Sequence, residues 1–366
     1  MKSTRAIRII TSLSVGVVLI SAFSWLGLGQ VSGAIDRIDV FGSISSRPDK
    51  PNKALNYLLV GSDTREGLTK AELKALRVGS VATAAGKRSD TMLLVHISKA
   101  RDKAVLVSIP RDSFALIPEH LNKSGKTKPA TYSKINSAFN WGGAPLLIQT
   151  IEEMTELKID HYIEVNFAGF AKVVDSLGGI EVCTKKDIDD PKSHLVLPAG
   201  VHTLNGIDAL KYVRTREFDG LGDIGRMQRQ QAFMSSVVKK ATSAGVLLNP
   251  VTMTNFINSS LSAVTTDEGL KNSDLITLAK QMKSLATSNI RTLTVPLSSL
   301  NYYSNGVTAS VLWDPVLAPE LWNRLREDRA VIDEVTPSPS PSATEAAKVE
   351  IIDKFKTRTA ADNICR

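Results

Sequence analysis

Cysteine is scarce. The 366 residues hold two, Cys183 and Cys365, so a disulfide-rich scaffold is excluded and no zinc-type cysteine spacing exists. The five histidines cluster with neither cysteine in any ligand spacing; His96 lies in a strand-like run, His202 beside a turn, and all five read as structural. No Gly-rich Walker loop is present, and no Ser-His or Cys-His pair points to a covalent enzyme intermediate. Aromatic residues make up 5% of the chain, and none interleave with a basic stripe. The formal charge of +8 suits anionic partners but is too mild to imply nucleic acid.

Long apolar runs are also few, with one exception at the start. Residues 1–8 are short and basic (Lys2, Arg5, Arg8), and 9–28 are largely apolar. About 20 such residues make roughly 30 Å of helix, close to one bilayer core. A cleaved signal peptide is the alternative, since small residues follow at Ser32, Gly33 and Ala34, but its apolar part is normally about 7–15 residues. The expectation is a single-pass anchor, with the flanking cations in the cytoplasm and the remainder outside the membrane. Residues 29–53 then read as a juxtamembrane stalk, 54–335 as one domain, 336–343 as a stiff Pro/Ser linker and 344–366 as a tail.

The domain is organised around Arg88–Asp112. Met92–Ile97 and Ala104–Ile109 are rich in Val, Leu and Ile, and the charged run Lys99–Lys103 reads as their turn. An antiparallel hairpin folded there brings Asp90 beside Arg111 and Asp112. Grouped charges of this kind cost repulsion and desolvation unless a metal ion or phosphate is bound. An ordinary hairpin with a surface salt bridge is the plainer reading. Before it, Ala54–Val60 reads as the first core strand. It opens into Gly-Ser-Asp-Thr-Arg, which puts Asp63 and Arg65 at a carboxyl strand end, where α/β sheets bind ligands; a turn-forming Asp63 is the alternative. Glu66–Lys87 reads as an insert carrying a short helix, Lys70–Leu76.

After the hairpin, Pro118–Ser133 is polar and reads as a loop. Helices are expected at Ala144–Thr155 and Phe167–Leu177, the latter stopped by a left-handed cap at Gly178-Gly179. Strands are expected at Tyr162–Val165 and Ile180–Cys183. Asn205 is a candidate N-cap for a helix Gly206–Val213 that delivers Arg214 and Arg216. Another helix begins near Asp223, with Arg226 and Gln230 on one face and Arg229 nearby. Asn249–Val264 and Leu270–Leu285 read as helices, Arg291–Leu297 and Val307–Trp313 as strands, and Pro315–Arg326 as a closing helix. The alternation predicts a layered αβα domain with a central mixed β-sheet. Any one arginine here is ordinarily solvated, but the cluster suits bidentate contacts to phosphate.

The segments GSDTR, RSDTMLLVHI, SIPRD, KINSAF, IDHYIEVNFAGFAKVVDSLGGIEVC, LPAGVHTLNGIDALKYVRTR and GRMQRQQAF, in this order, resemble the LytR-CpsA-Psr family. They cover roughly Asn56 to Lys240. The Cys183 context and the Pro/Ser-linked tail resemble its actinobacterial branch. The resemblance implies an enzyme that takes an anionic glycan from a polyprenyl-diphosphate carrier and joins it to a peptidoglycan hydroxyl through a phosphodiester. It implies Mg²⁺ held by Asp63 and Asp90. It implies phosphate binding by Arg65, Arg111, Arg214, Arg216 and Arg226, assisted by Gln230, with Asp112 orienting Arg111 and with Arg88 and Asp223 adjacent. A groove between sheet and helices would take the lipid chain. Two other activities fit the same residues: hydrolysis of the diphosphate, with water as acceptor, and non-catalytic binding of lipid carriers by an envelope regulator. Outside the membrane, Cys183 and Cys365 are expected either to form a disulfide or to remain two thiols.

Overall fold

The computed structural model describes residues 36–64, 69–76, 89–122, 124–215, 222–241, 263–271, 273–274, 277, 287–335 and 350–359. The expected anchor 9–28 and linker 336–343 lie outside them, as do most of the insert after Leu76, most of the two helices expected within 249–285, and Arg65, Arg88, Arg216 and Cys365. Among the described residues no helix is long and apolar enough to cross a membrane.

In chain order the strands are β1 (Asp36–Ile38), β2 (Leu55–Ser62), β3 (Ser89–Ile97), β4 (Ala104–Ile109), β5 (Phe114–Ile117), β6 (His120–Leu121), β7 (Thr127–Lys128), β8 (Thr131–Lys134), β9 (His161–Val165) and β10 (Ile180–Thr184). They continue as β11 (Ile188–Asp190), β12 (Leu195–Leu197), β13 (Gly200–Leu204), β14 (Val264–Asp267), β15 (Ile290–Thr294), β16 (Leu297–Ser304), β17 (Val307–Trp313), β18 (Asp333–Val335), β19 (Glu350–Ile352) and β20 (Arg358–Thr359). The helices are α1 (Lys70–Leu76), α2 (Asn136–Thr155), α3 (Phe167–Ser176), α4 (Gly206–Arg214), α5 (Gly222–Ala241) and α6 (Leu317–Arg326).

Eight strands form the central sheet in the order β1-β14-β9-β2-β3-β4-β15-β20. It is mixed, as the alternation predicts: β2 runs parallel to β9 and β4 parallel to β15, while β3 is antiparallel to both of its neighbours. The carboxyl ends of β2, β4, β9 and β15 therefore share one edge with the start of β3. The period-2 pattern decides which helix covers which face. Leu58, Val60, Met92, Leu94, Val107 and Ile109 face α2 and α6 in the main core. Leu93 and Leu106 on the opposite face meet Ile290, Met234 and Val238, the last two from α5. A separate cluster joins α3, α4, α5 and the β10–β13 pair through Val174, Ile180, Val182, Tyr212 and Phe233.

Several local expectations hold. Asn205 caps α4 by accepting from the Asp208 N–H. Gly178 and Gly179 take φ of 74° and 87°, a left-handed stop that costs glycine nothing. Four features differ from the sequence reading. The Pro118–Ser133 loop is a β-ribbon, because β5 pairs with β8 and β6 with β7. The helix expected from Ala144 starts at Asn136 and kinks at Gly143, whose φ of 67° lets the chain turn between its two parts. Val264, expected to end a helix, begins β14, which β1 of the presumed stalk flanks in parallel. Val40, also from the stalk range, is 1% exposed in the core, so the domain begins before residue 54. The tail likewise docks: β19 pairs with β18, β20 with β15, and Phe355 is buried.

Candidate active site

The carboxyl edge of the sheet collects the charged residues. The β3–β4 ladder runs from Ile97↔Ala104 to Met92↔Ile109, and the same register continued two steps would set Asp90 opposite Arg111. The β2–β3 ladder pairs Gly61 with Thr91 and then Ser62 with Ser89, which leaves Asp90 as the extra residue of a β-bulge. Bulges re-aim side chains and end pairing, and they recur beside active sites. Asp63 follows directly, half-buried, at the end of β2. Ser62 is buried and its hydroxyl bonds that of Thr64. The Ser89 hydroxyl is buried with no hydrogen-bond partner among the described residues.

Arg111 and Asp112 sit on a loop pinned by its backbone. The Arg111 carbonyl accepts from the Asn136 N–H at 3.1 Å, and the Asp112 carbonyl from the Val311 N–H at 2.8 Å. The Ser113 hydroxyl donates to the Pro110 carbonyl at 2.7 Å and accepts from the Trp313 indole at 2.9 Å. Both charged side chains are thus presented by fixed main chain. Arg111 Nε lies 3.6 Å from Asp112 Oδ2, and Lys134 Nζ lies 3.5 Å from Asp112 Oδ1. Asp112 therefore serves two cations. Sequence reasoning missed Lys134, which only the unforeseen β5–β8 pairing brings to this loop.

The opposite face supplies more arginines. Gln231 of α5 donates to the Thr294 hydroxyl, and the hydroxyls of Ser235 and Thr292 lie 3.3 Å apart. Helix α5 therefore runs antiparallel to β15. Arg226, five residues before Gln231, lies about 7.5 Å further along the helix axis, towards or beyond the carboxyl edge. Arg226 and Arg229 are 7% and 8% exposed. Arg229 donates to the Thr215 carbonyl at 2.6 Å, and Gln230 to the Val213 carbonyl at 3.2 Å. Both brace the end of α4. Arg214, at that end, lies 5.4 Å over the Phe167 ring, just past β9. Burial pushes the Tyr212 phenol up from its ordinary value, against the pull of Arg229.

Among the described residues no three His, Cys, Asp or Glu side chains gather as a metal cluster. Cys183 is disulfide-bonded.

The sequence profile of the LytR_cpsA_psr family matches residues 33–326. The probable cell wall biosynthesis protein LcpB of Corynebacterium glutamicum is 38% identical over 271 residues, 74% of this chain and 61% of its own length. The polyisoprenyl-teichoic acid–peptidoglycan teichoic acid transferase TagT of Bacillus subtilis is 35% identical over 201 residues, 53% of this chain and 55% of its own. The chain thus spans about three fifths or less of the length of these relatives. A solved LytR-Csp2A-Psr enzyme from Actinomyces oris superposes with a TM-score of 0.61 at 22% identity, covering 80% of this chain and 95% of that one. That likeness fixes the fold.

Proposed function

The chain belongs to the LytR-CpsA-Psr family, and on that basis we propose that it moves an anionic glycopolymer from a polyprenyl-diphosphate carrier onto a peptidoglycan hydroxyl, forming a phosphodiester in cell-wall assembly. The observation that carries this reading is the shared edge. Asp63, the Asp90 bulge, Arg111 and Asp112 meet there, and α5 extends its arginine-bearing, N-terminal end towards it. The teichoic acid transfer for which TagT of Bacillus subtilis is named supports the substrate class.

A diphosphate carries several negative charges, and its transfer is catalysed chiefly by positioning and charge neutralisation. Arg111, Arg214 and Arg226, together with Arg65, Arg88 and Arg216 of the same family motifs, would bind the phosphate oxygens. Asp112 orients the Arg111 fork, with Lys134 sharing its charge. The amino end of a 20-residue helix adds partial positive charge near the same place. Asp63 or Asp90 would take the proton of the attacking hydroxyl.

The donors at this edge suit a hard divalent cation. They are carboxylates and hydroxyls, with no sulfur or imidazole, and the Ser89 hydroxyl beside the bulge lacks a partner among the described residues. Asp63 and Asp90 would hold Mg²⁺, which when bound supplies charge neutralisation of the diphosphate. An anchor at 9–28 would keep the domain in the plane of its lipid-linked substrate. The Cys183 bond would run to Cys365, the chain's other cysteine, and tie the docked tail down; mass spectrometry should find the oxidised protein about 2 Da lighter than the reduced one, as one S–S bond requires.

The deciding experiment incubates the full chain, in a membrane mimetic, with a polyprenyl-diphosphate glycan and peptidoglycan, with and without Mg²⁺. Mg²⁺-dependent covalent attachment, lost in Arg111→Ala, is the expected result. Free glycan phosphate without attachment would make the chain a hydrolase. Binding with neither product would make it a regulator. A trapped phosphorylated or glycosylated enzyme would overturn direct attack by the hydroxyl.

A further inference from the structure

An open groove of about 520 Å³ lies between the β6–β7 hairpin and the first turns of α2. Its walls include His120, Asn122, Lys128, Thr131, Asn140 and Trp141. The Trp141 and His120 rings are stacked, with centroids 5.5 Å apart and planes 11° from parallel. His120 Nδ1 lies 2.9 Å from the Pro118 carbonyl, which can only accept, so Nδ1 carries a proton and holds the ring in place. Asn122 Oδ1 accepts from the Ser124 and Lys126 N–H groups at 3.0 and 2.9 Å, which fixes the hairpin turn. The half-buried Trp141 packs against the main core. The groove is thus framed by a locked turn and an anchored indole.

Its chemistry differs from that of the arginine edge. Among the described residues the lining carries amides, hydroxyls, an imidazole, one cation, an indole and no carboxylate. Amides and hydroxyls donate and accept hydrogen bonds without net charge, and an indole offers an apolar face with a polar tip. Together these suit a sugar ring, with its hydroxyl rim, apolar C–H face and N-acetyl amide. A diphosphate would leave most of these acceptors idle.

Its place is equally specific. The Asn136 N–H at the start of α2 bonds the Arg111 carbonyl, and Asn140 follows about one helical turn later. Along β8, Lys134 touches Asp112, and Thr131 lies three residues back, about 10 Å away. The groove therefore opens roughly 10 Å from the phosphate-binding loop. It also sits with α2, on the face of the sheet opposite α5 and its arginines. In phosphoryl transfer the attacking and leaving oxygens lie roughly in line. If the carrier's leaving phosphate is held from the α5 side, the attacking hydroxyl must come from the α2 side.

The geometry points to this groove as the binding site for the acceptor: a neutral, N-acetylated stretch of glycan next to the hydroxyl that attacks. This assignment rests on the transferase reading for the word acceptor, and on the groove alone for the word glycan.

Two measurements separate those parts. The first titrates the full chain with an N-acetylglucosamine tetramer and follows tryptophan emission. A saturable change is expected, absent in Trp141→Phe. Its Kd should rise about fivefold in Asn140→Ala and in His120→Ala, the worth of roughly one neutral hydrogen bond. Arg111→Ala should bind the tetramer as wild type does. Matched melting curves identify the variants that stay folded. No saturable change, or equal Kd in folded variants, would overturn the site. The second measures transfer kinetics in Asn140→Ala. A rise of about fivefold in KM for peptidoglycan, with KM for the polyprenyl-diphosphate glycan unchanged, is expected. A rise confined to the lipid-linked glycan would overturn the acceptor assignment. Tetramer binding by a chain that transfers nothing would leave the glycan site standing and refute the transferase reading.

Discussion

The two faces of the central sheet are covered by helices of the same length and opposite character. The α2 face is filled with Leu147, Ile148, Ile151, Phe139 and Tyr162, all 2% exposed or less. The α5 face has small apolar clusters and two buried arginines, Arg226 and Arg229, with Ser236 buried further along the helix. Burying guanidinium groups costs free energy that apolar residues of like volume would not. The α2 face therefore carries the stability of the domain, while the α5 face gives some of it up to hold positive charge over the edge where Asp63 and Arg111 meet. Stability and chemistry are divided by the sheet itself.

That division can be broken from either side. Leu147→Ala empties a fully buried position in the α2 layer and should cost about 2–5 kcal/mol of unfolding free energy. Transfer per folded molecule should be unchanged, as checked by denaturant melts alongside activity. Arg226→Met makes the converse test. Transfer should fall about 100-fold, the scale for losing one preorganised charge donor, while the melting temperature holds or rises. A large loss of stability in Arg226→Met would mean that the arginine is part of the scaffold and that the two faces are not divided. A mid-sized effect is expected at the rim of the α2 layer. Glu152 is 1% exposed, bonds Arg47 Nε at 3.0 Å and accepts from the Ile159 N–H at 2.8 Å. Arg47→Ala strands that buried carboxylate and should cost about 3 kcal/mol, with transfer per folded molecule again unchanged.

The smallest effect concerns pH. His96 is buried between Asn56 and Asp328, with Nδ1 2.8 Å from Asn56 Oδ1 and Nε2 3.1 Å from Asp328 Oδ1. Burial pushes its pKa below the ordinary 6.5, outweighing the upward pull of Asp328. The folded imidazole therefore takes up its second proton less readily than that of the unfolded chain, which does so below about pH 6.5, and stability rises with pH through that range. This contribution is complete above pH 6.5 and is lost as pH falls towards the depressed folded value. Melting temperature should decline between pH 7 and 5, less steeply in His96→Gln. The carboxyls of Asp333 and Glu320, lowered chiefly by hydrogen bonds to Arg324, titrate below this window.

What could be read from the sequence was what is local. The β3–β4 hairpin and its register follow from two apolar runs and a charged turn. Helices α3 and α4 carry their own stops and caps. Harder to see were elements defined by distant partners. Strands β6 and β7 have two residues each and little burial, so no alternation marks them. Strand β1 exists because β14 lies beside it, and β20 because β15 does. The first turns of α2 were hidden because Gly142-Gly143 resembles a helix boundary, and the chain does kink there. Lys134 became visible as a partner of Asp112 only once β8 was placed.

Both borders of the central sheet are formed by short strands distant in sequence from the strands they flank. Strand β1 precedes the domain's first long strand, and β20 follows its last helix. An uncovered border offers a row of free N–H and C=O groups to any other extended chain. While the polypeptide is being made, β15 is complete long before β20 exists to cover it. Until residues 350–359 dock, that border is open to a strand from a neighbour. The final segment is thus a late-made cover over part of the sheet's border, in place only once the rest of the domain has been made.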